Sequence, residues 1–487
     1  MSEDTLQQPA APVLPVAAGD ARAGIDARSR PEPRSRTGLA LAIILTCQMM
    51  LMVDATVMNV ALPRIQTGLH FSPTSLAWVL DAYTLTFGGL LLLGGRLGDL
   101  FGRRKLFTLG ILLFTLASLT GGLSTTSGEL LAARVVQGVG AAMAGPSAIA
   151  LLNSTFSDPK ARIRALALFS GVSSAGFAIG LILGGVLTEA VSWRWVLFIN
   201  VPFGLVASVL APRFLKQPPR HETQLDVGGA ISATLGVGSL VYGLIHAASS
   251  GWDSTLTIAP IVIGLALIGT FILLQANAQH PLLPLHLFKD RNRAAAYANY
   301  TLGPAAGFSS FFFLTQYLQD VLHYSPVRTG LAFLPMSALI FTMSRLTPRL
   351  LPRFGPKPMT ITGTLLLTAG LIGFTRVGEH STYVGTLLWP MIVMGLGMGL
   401  AFSPLMVLIM HTVKPQDAGA AGGTMQTLQQ TGVSLGIAVL VTIAGTAARN
   451  HPATAVISST QAALTASAII AACTVLVAMT FRKVTSR

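Results

Sequence analysis

Long apolar runs separated by short polar stretches organise this chain. The first run extends from about Leu39 to Leu62. Thirteen more follow, at roughly 74–94, 106–125, 130–153, 164–190, 195–215, 227–248, 256–276, 295–320, 327–347, 358–376, 382–410, 418–446 and 461–481. Most are near twenty residues, the length that crosses a ~30 Å hydrocarbon layer at 1.5 Å per residue in a helix. The pattern predicts an all-α polytopic membrane protein with 14 transmembrane helices. Residues 1–37 are rich in Ala, Pro, Asp and Arg and hold no apolar run, which predicts a disordered tail. No cleavable signal peptide is visible, and the first run is long enough to remain as a helix.

Composition sharpens this reading. Of 487 residues, 52% are hydrophobic and 10% charged, against roughly 25% charged in soluble domains. A string of soluble domains is therefore excluded. The net charge of +14 could suggest a nucleic-acid partner, but the excess lies in short loops, where Lys and Arg fix topology. Arg28, Arg30, Arg34 and Arg36 precede the first helix, and Arg103, Arg104 and Lys105 follow the second. Lys160, Arg162 and Arg164 follow the fourth; Arg213, Lys216 and Arg220 the sixth; Lys289, Arg291 and Arg293 the eighth. Arg349, Arg353 and Lys357 follow the tenth, Lys414 the twelfth, and Arg482 with Lys483 the last. The opposite loops carry only scattered charges such as Arg64, Arg194, Arg328, Arg376 and Arg449. Both termini are thus expected in the cytoplasm, with the chain multi-pass in the cell (inner or cytoplasmic) membrane and an even number of spans. The two cysteines, Cys47 and Cys473, lie inside apolar runs and read as small buried hydrophobes rather than a disulfide framework.

Between the second and third runs stands GGRLGDLFGRRK, Gly94 to Lys105. Gly95, Gly98 and Gly102 permit a tight turn, and Asp99 with Arg103, Arg104 and Lys105 sets opposite charges around it. The spacing G-x-L-x-D-x-x-G-R-R-K resembles the signature loop between helices 2 and 3 of the major facilitator superfamily of transporters. A weaker echo, RLTPRLLPRFGPK (Arg345–Lys357), lacks the aspartate. Treating the two loops as equivalents makes helices 1–6 and 9–14 two bundles with helices 7 and 8 inserted. The expected organisation is a tail over 1–37, a six-helix bundle over 38–216, an inserted pair over 217–285 and a second bundle with a short tail over 286–487. Parallel halves with nested inverted repeats are the design of that superfamily.

Two carboxyls lie at hydrocarbon depth. Asp54, in VDATVMNVALP, precedes Pro63 by nine residues, and Asp81 follows Pro73 by eight, so both sit about 12–13 Å below the outer surface. An ionisable group there costs at least ~2.5–3.5 kcal/mol unless it meets a partner or a wet cavity. Either could instead be protonated and bonded to a neighbouring helix. Burial raises a carboxyl pKa and a nearby cation lowers it, so a carboxyl sensing a cationic ligand can exchange protons for drug. Arg134, in LLAARVVQGVGAA, is the candidate counter-charge near the same level. That segment resembles the superfamily's helix-4 motif, whose arginine is proposed to aid proton transfer; a snorkelling arginine is the alternative.

Gly176, Gly180 and Gly184, with Gly185 beside them, lie along one face of helix 5 at i, i+4 and i+8, a packing surface for another helix. Antiporters of the superfamily carry a comparable motif, with proline where this chain has Leu181. SWRWVLFINVPFG (Ser192–Gly204), LAWVLDAYTL (Leu76–Leu85), QYLQDVLHYSPVRTGLAFLP (Gln316–Pro335) and TLQQTGVSLGIAV (Thr427–Val439) resemble the fourteen-span drug:proton antiporters. The resemblance implies that Asp99 docks on the start of helix 13, around Pro415 to Ala418, and holds the bundles together in one state. Asp320 and Glu189, near outer helix ends, read as solvated, and His246 as interfacial. No G-x-x-x-x-G-K-[ST] loop, metal-spaced Cys/His cluster or Ser/His/Asp constellation is present, so no enzyme and no cofactor beyond the proton gradient is expected. The implied function is proton-coupled export of amphipathic, often cationic drugs or antibiotics by alternating access, by a monomer. Its partners would be a small drug-like substrate, protons and the lipid bilayer, with no nucleic acid. A dedicated exporter of one metabolite and a proton symporter remain open; a membrane sensor would need soluble loops that are missing.

Overall fold

A computed structural model describes residues 34–156, 158–219, 225–279, 281–414, 417–451 and 454–482. Of the expected tail, residues 1–33 lie outside the described residues; the last four already belong to the first helix.

Among the described residues, fourteen long helices run in the expected order. They are α1 (Arg34–Leu69), α2 (Trp78–Phe101), α3 (Arg103–Leu123), α4 (Ser127–Thr155), α5 (Pro159–Ala190), α6 (Asn200–Phe214) and α7 (Val227–Ser250). Then follow α8 (Thr255–Asn277), α9 (Arg291–Gln316), α10 (Leu334–Phe354), α11 (Pro356–Phe374), α12 (Trp389–Met410), α13 (Ala418–Asn450) and α14 (Ala455–Met479). Short helical turns, Trp195–Phe198 and Pro326–Ala332, lead into α6 and α10. Among the described residues, 12 segments are long and apolar enough to cross a membrane by length and composition. The remaining two spans are α9 and α11, whose flanking Arg or Pro residues and internal polar groups dilute an otherwise apolar run.

Helix starts follow local chemistry. Thr126 and Glu129 form a reciprocal capping box at α4, and the Asp158 carboxylate accepts from the Ala161 amide just before Pro159 opens α5. One expectation is corrected at the charged turn after α2. Gly95 and Gly98 lie inside α2, which continues to Phe101; only Gly102 turns, with a φ of 106° that favours glycine. The glycines inside the helix serve close packing instead. Added Cβ atoms would overlap the Ala142 carbonyl at Gly94 and stand 2.8 Å from the Arg103 side chain at Gly98.

Helices α1–α6 pack on one another as one group and α9–α14 as a second. The antiparallel pair α7–α8 leans on α2 of the first group and α13 of the second. The groups meet along α2 and α13, and where α5 faces Pro326–Ala332 and α10. On the face away from the basic loops, Gln319 donates to the Val60 carbonyl (2.9 Å) and the Val327 amide donates to Glu189 (2.9 Å). Glu189, expected to be merely solvated, thus bridges the two groups. Cys47 is buried, whereas Cys473 is exposed on the apolar outside of α14 rather than packed as expected.

The helix-5 glycines bring α5 against α1. A Cβ at Gly176 would lie 2.9 Å from Met52 Cβ, one at Gly180 would overlap the Thr56 hydroxyl, and one at Gly184 would lie 2.9 Å from Val57 Cα. At Gly185 it would stand 2.6 Å from the Pro326 carbonyl oxygen of the second group. Gly184→Leu is therefore expected to cost about 1–3 kcal/mol by overpacking. Gly238→Leu, where nothing lies within 4 Å, should cost far less. Thermal unfolding of the two variants in detergent checks this, and equal melting shifts would contradict it.

Candidate functional site

Asp54 is 0% exposed and sits within the first helical group. Arg134 Nη1 on α4 donates to Asp54 Oδ2 at 2.6 Å. Gln137 Nε2 and Asn200 Nδ2 donate to the other carboxylate oxygen at 3.2 and 3.0 Å. Arg134, 1% exposed, makes further contacts with its neighbours. Its Nε reaches the Val79 carbonyl of α2 (2.9 Å), its Nη1 also reaches Gln137 Oε1 (2.9 Å), and its guanidinium lies 4.5 Å from the Tyr83 ring centre. Gln137 Nε2 also donates to Ser118 Oγ of α3 at 2.7 Å. Five helices (α1, α2, α3, α4 and α6) thus converge on one buried ion pair.

The local sequence explains the convergence. Arg134 and Gln137 are three residues apart, hence on one face of α4. The short turn Trp195–Phe198 ends just before Asn200, placing its amide at the first turn of α6. A carboxylate with three donors is a solvated anion in all but water; removing one partner of such a pair leaves a buried charge.

Asp81 has the opposite surroundings. It is 0% exposed, and neither carboxyl oxygen has a hydrogen-bond partner among the described residues. The hydroxyl of Ser434 on α13, itself unpartnered, approaches it without closing a hydrogen bond. An uncompensated charge there would cost several kcal/mol, so this packing accommodates the neutral acid. Asp54 and Asp81 are not joined to each other. They share α2: Arg134 holds the Val79 carbonyl two residues before Asp81. Asp54 belongs to the interior of one group, and Asp81 to the seam between α2 and α13.

In the charged turn, Asp99 pairs with Arg103 at 2.5 Å. The Arg104 guanidinium donates to the Pro212 and Leu215 carbonyls (3.2 Å each) and its amide to Gln217 Oε1 (3.2 Å), tying the turn to the end of α6. A Cβ at Gly102 would meet the Gln217 amide at 2.5 Å, whereas one at Gly95 would only graze Pro146 at 3.9 Å. Pro415 and Gln416, part of the docking place expected for Asp99, lie outside the described residues. Arg96 instead reaches across to the Pro281 carbonyl (3.1 Å) ahead of α9. His246 stacks on Tyr242, 5.2 Å between ring centres.

Gln137, Asn200, Ser118 and Tyr83 were not singled out from the sequence. The i, i+3 spacing of Arg134 and Gln137 could have nominated Gln137. Nothing in the sequence links Asn200 or Ser118 to Asp54, because those contacts are set by tertiary packing.

A family model described as the Major Facilitator Superfamily matches residues 44–437. A puromycin resistance protein, pur8, of Streptomyces alboniger is 41% identical over 418 residues, covering 85% of this chain and 82% of that protein. The cephamycin export protein CmcT of Amycolatopsis lactamdurans is 37% identical over 435 residues, covering 88% of this chain and 90% of its own. A methylenomycin A resistance protein of Bacillus subtilis is 32% identical, covering 84% and 88%. Among solved structures, an auto-inhibited POT family peptide transporter superposes with a TM-score of 0.65 at 15% identity, covering 92% of this chain and 98% of that one. The nucleoside transporter NupG superposes with a TM-score of 0.62 at 14% identity, covering 91% and 99%. Those two likenesses concern the fold.

Proposed function

From the premise that this chain belongs to the major facilitator superfamily, we propose that it exports amphipathic drug-like or antibiotic compounds in exchange for protons, by alternating access between α1–α6 and α9–α14. The face carrying the basic loops is the cytoplasmic one, both termini lie there, and the membrane is the cytoplasmic membrane. The relatives named for resistance or export, similar over more than four-fifths of the chain, supply the direction of transport and the cargo class.

One observation carries the proton part. Two fully buried carboxyls have opposite surroundings, one paired with an arginine and one without a hydrogen-bond partner among the described residues. Rocking of the bundles changes the α2–α13 seam, where Asp81 can gain or lose water, and α2 is also bonded to the arginine that neutralises Asp54. Movement of α2 therefore alters the surroundings of both carboxyls together. Arg134 is the residue paired with Asp54, and Asp99, Gly102, Arg103 and Arg104 form the cytoplasmic hinge by which α2 and α3 move with α6, while Gly95 lies inside α2 facing α4. The glycines of α5 (Gly176, Gly180, Gly184 and Gly185) seal the outer half against α1 and Pro326–Ala332.

Exchange is tested in inside-out vesicles with an imposed pH gradient. Adding a transported antibiotic should release internal protons in proportion to its uptake. Uptake with no change in internal pH would remove the antiport claim, and no uptake across a broad antibiotic panel would remove the export claim.

A further inference from the structure

We propose that Arg345 on α10 is a cargo-selecting residue that gives the space between the bundles an unpaired positive charge, so that the preferred cargo is an amphipathic compound bearing an acid group. This rests on the exporter reading above and narrows its cargo class.

The charges near membrane depth differ in whether a cargo can reach them. Asp54 is closed on Arg134, and Asp81 is 0% exposed. Glu129 caps the outer start of α4, Glu189 and Asp320 sit at outer helix ends, and Asp99 is paired with Arg103. Among the described residues, a cationic compound entering between the bundles thus meets no accessible carboxylate at hydrocarbon depth. Arg345 is different. It is exposed, and no carboxylate pairs with it among the described residues.

Its position places it in that space. It precedes the end of α10, at Phe354, by nine residues, about 13 Å of helix. The guanidinium lies against Gly171 of α5 in the other bundle, where a Cβ would stand 2.6 Å from Nη2. Phe341, one turn back on α10, offers its ring 4.9 Å away. The facing stretch of α5 is hydroxyl-rich: Ser170 is exposed, and Ser174 Oγ donates to the Ser170 carbonyl at 3.1 Å. An arginine aimed at lipid within the hydrocarbon is disfavoured, and the exposed Ser170 stands near it on the facing helix. Deeper on α5, Phe177 meets Phe311 and Phe308 of α9 at 5.5 and 6.0 Å between ring centres. The seam therefore offers an aromatic wall for an apolar body and, toward the cytoplasm, a forked donor that suits a carboxylate or similar oxyanion.

Two dyes sharing one xanthene skeleton test this: fluorescein, a carboxylate, and rhodamine 123, a cation. In phosphatidylcholine proteoliposomes with an imposed pH gradient, the protein should move fluorescein roughly tenfold faster or more, the scale of one hydrogen bond to a charged group. R345Q should bring the two rates close together, R345E should invert the preference, and R345K should retain most of it; melting temperatures near that of the parent protein confirm folding. Rhodamine 123 moved in preference to fluorescein would overturn the inference while leaving the exporter reading intact. An unchanged preference in R345Q would do the same and would leave Arg345 a snorkelling side chain. Movement of neither dye nor any antibiotic would sink the exporter reading. Fluorescein anisotropy on the solubilised protein then decides the inference separately: equal affinity in parent and R345Q overturns it.

Discussion

Asp54→Asn should abolish drug–proton exchange and destabilise the first bundle by about 3–5 kcal/mol, the usual loss when one member of a buried ion pair is removed. The size follows from what remains. Arg134 is 1% exposed and cannot turn to water, while the Val79 carbonyl, Gln137 and the Tyr83 ring supply dipoles but no negative charge. A double-mutant cycle separates stability from coupling. Asp54→Asn with Arg134→Gln removes the buried pair and should recover much of the lost stability, yet exchange should stay absent because the carboxyl proposed to carry the proton is gone. Unfolding in detergent and antibiotic-dependent proton release in vesicles read the two effects. Exchange at the parent rate in the single variant would remove Asp54 from the mechanism.

The pairing of Asp54 with Arg134 was legible because each sits at a calculable depth in an apolar run, and charges of opposite sign at one depth have few other places to go. The helix-5 stripe was legible because i, i+4 spacing is a property of the chain itself. The charged turn was read too loosely. Apolar runs end where charge begins, so the sequence placed the end of α2 near Gly94, but the helix continues to Phe101 because its glycines receive α4 rather than bend the backbone. Glu189 looked like a solvated helix-end carboxylate. Its contact with the Val327 amide depends on how two bundles meet, which no local pattern encodes. Arg345 was hidden for a similar reason: it opens a run of basic residues that reads as a topogenic loop, and only the position of Gly171 on the opposing bundle shows that its guanidinium meets α5.

Asp81→Asn should act in the opposite way to Asp54→Asn, leaving the fold nearly as stable while weakening the link to membrane potential. Both oxygens of Asp81 lack partners, so exchanging one neutral, unsatisfied polar group for another forfeits no ion pair, and a change within about 1 kcal/mol is expected. The functional effect is larger. Each proton carried inward per cycle moves one charge, worth ~2.3 kcal/mol per 100 mV, or about fifty-fold in the drug gradient that can be sustained. A two-proton cycle against a monovalent cation moves one net charge; the same cycle with one proton moves none. If the cargo leaves as an anion, its own charge adds to the total equally in both proteins, so the difference between them still reads Asp81. Transport in proteoliposomes held at a potassium diffusion potential, with equal pH on both sides, measures that difference directly. The variant should lose one charge per cycle in its voltage dependence. An identical dependence in both proteins would mean that Asp81 carries no proton across and only fills the α2–α13 seam.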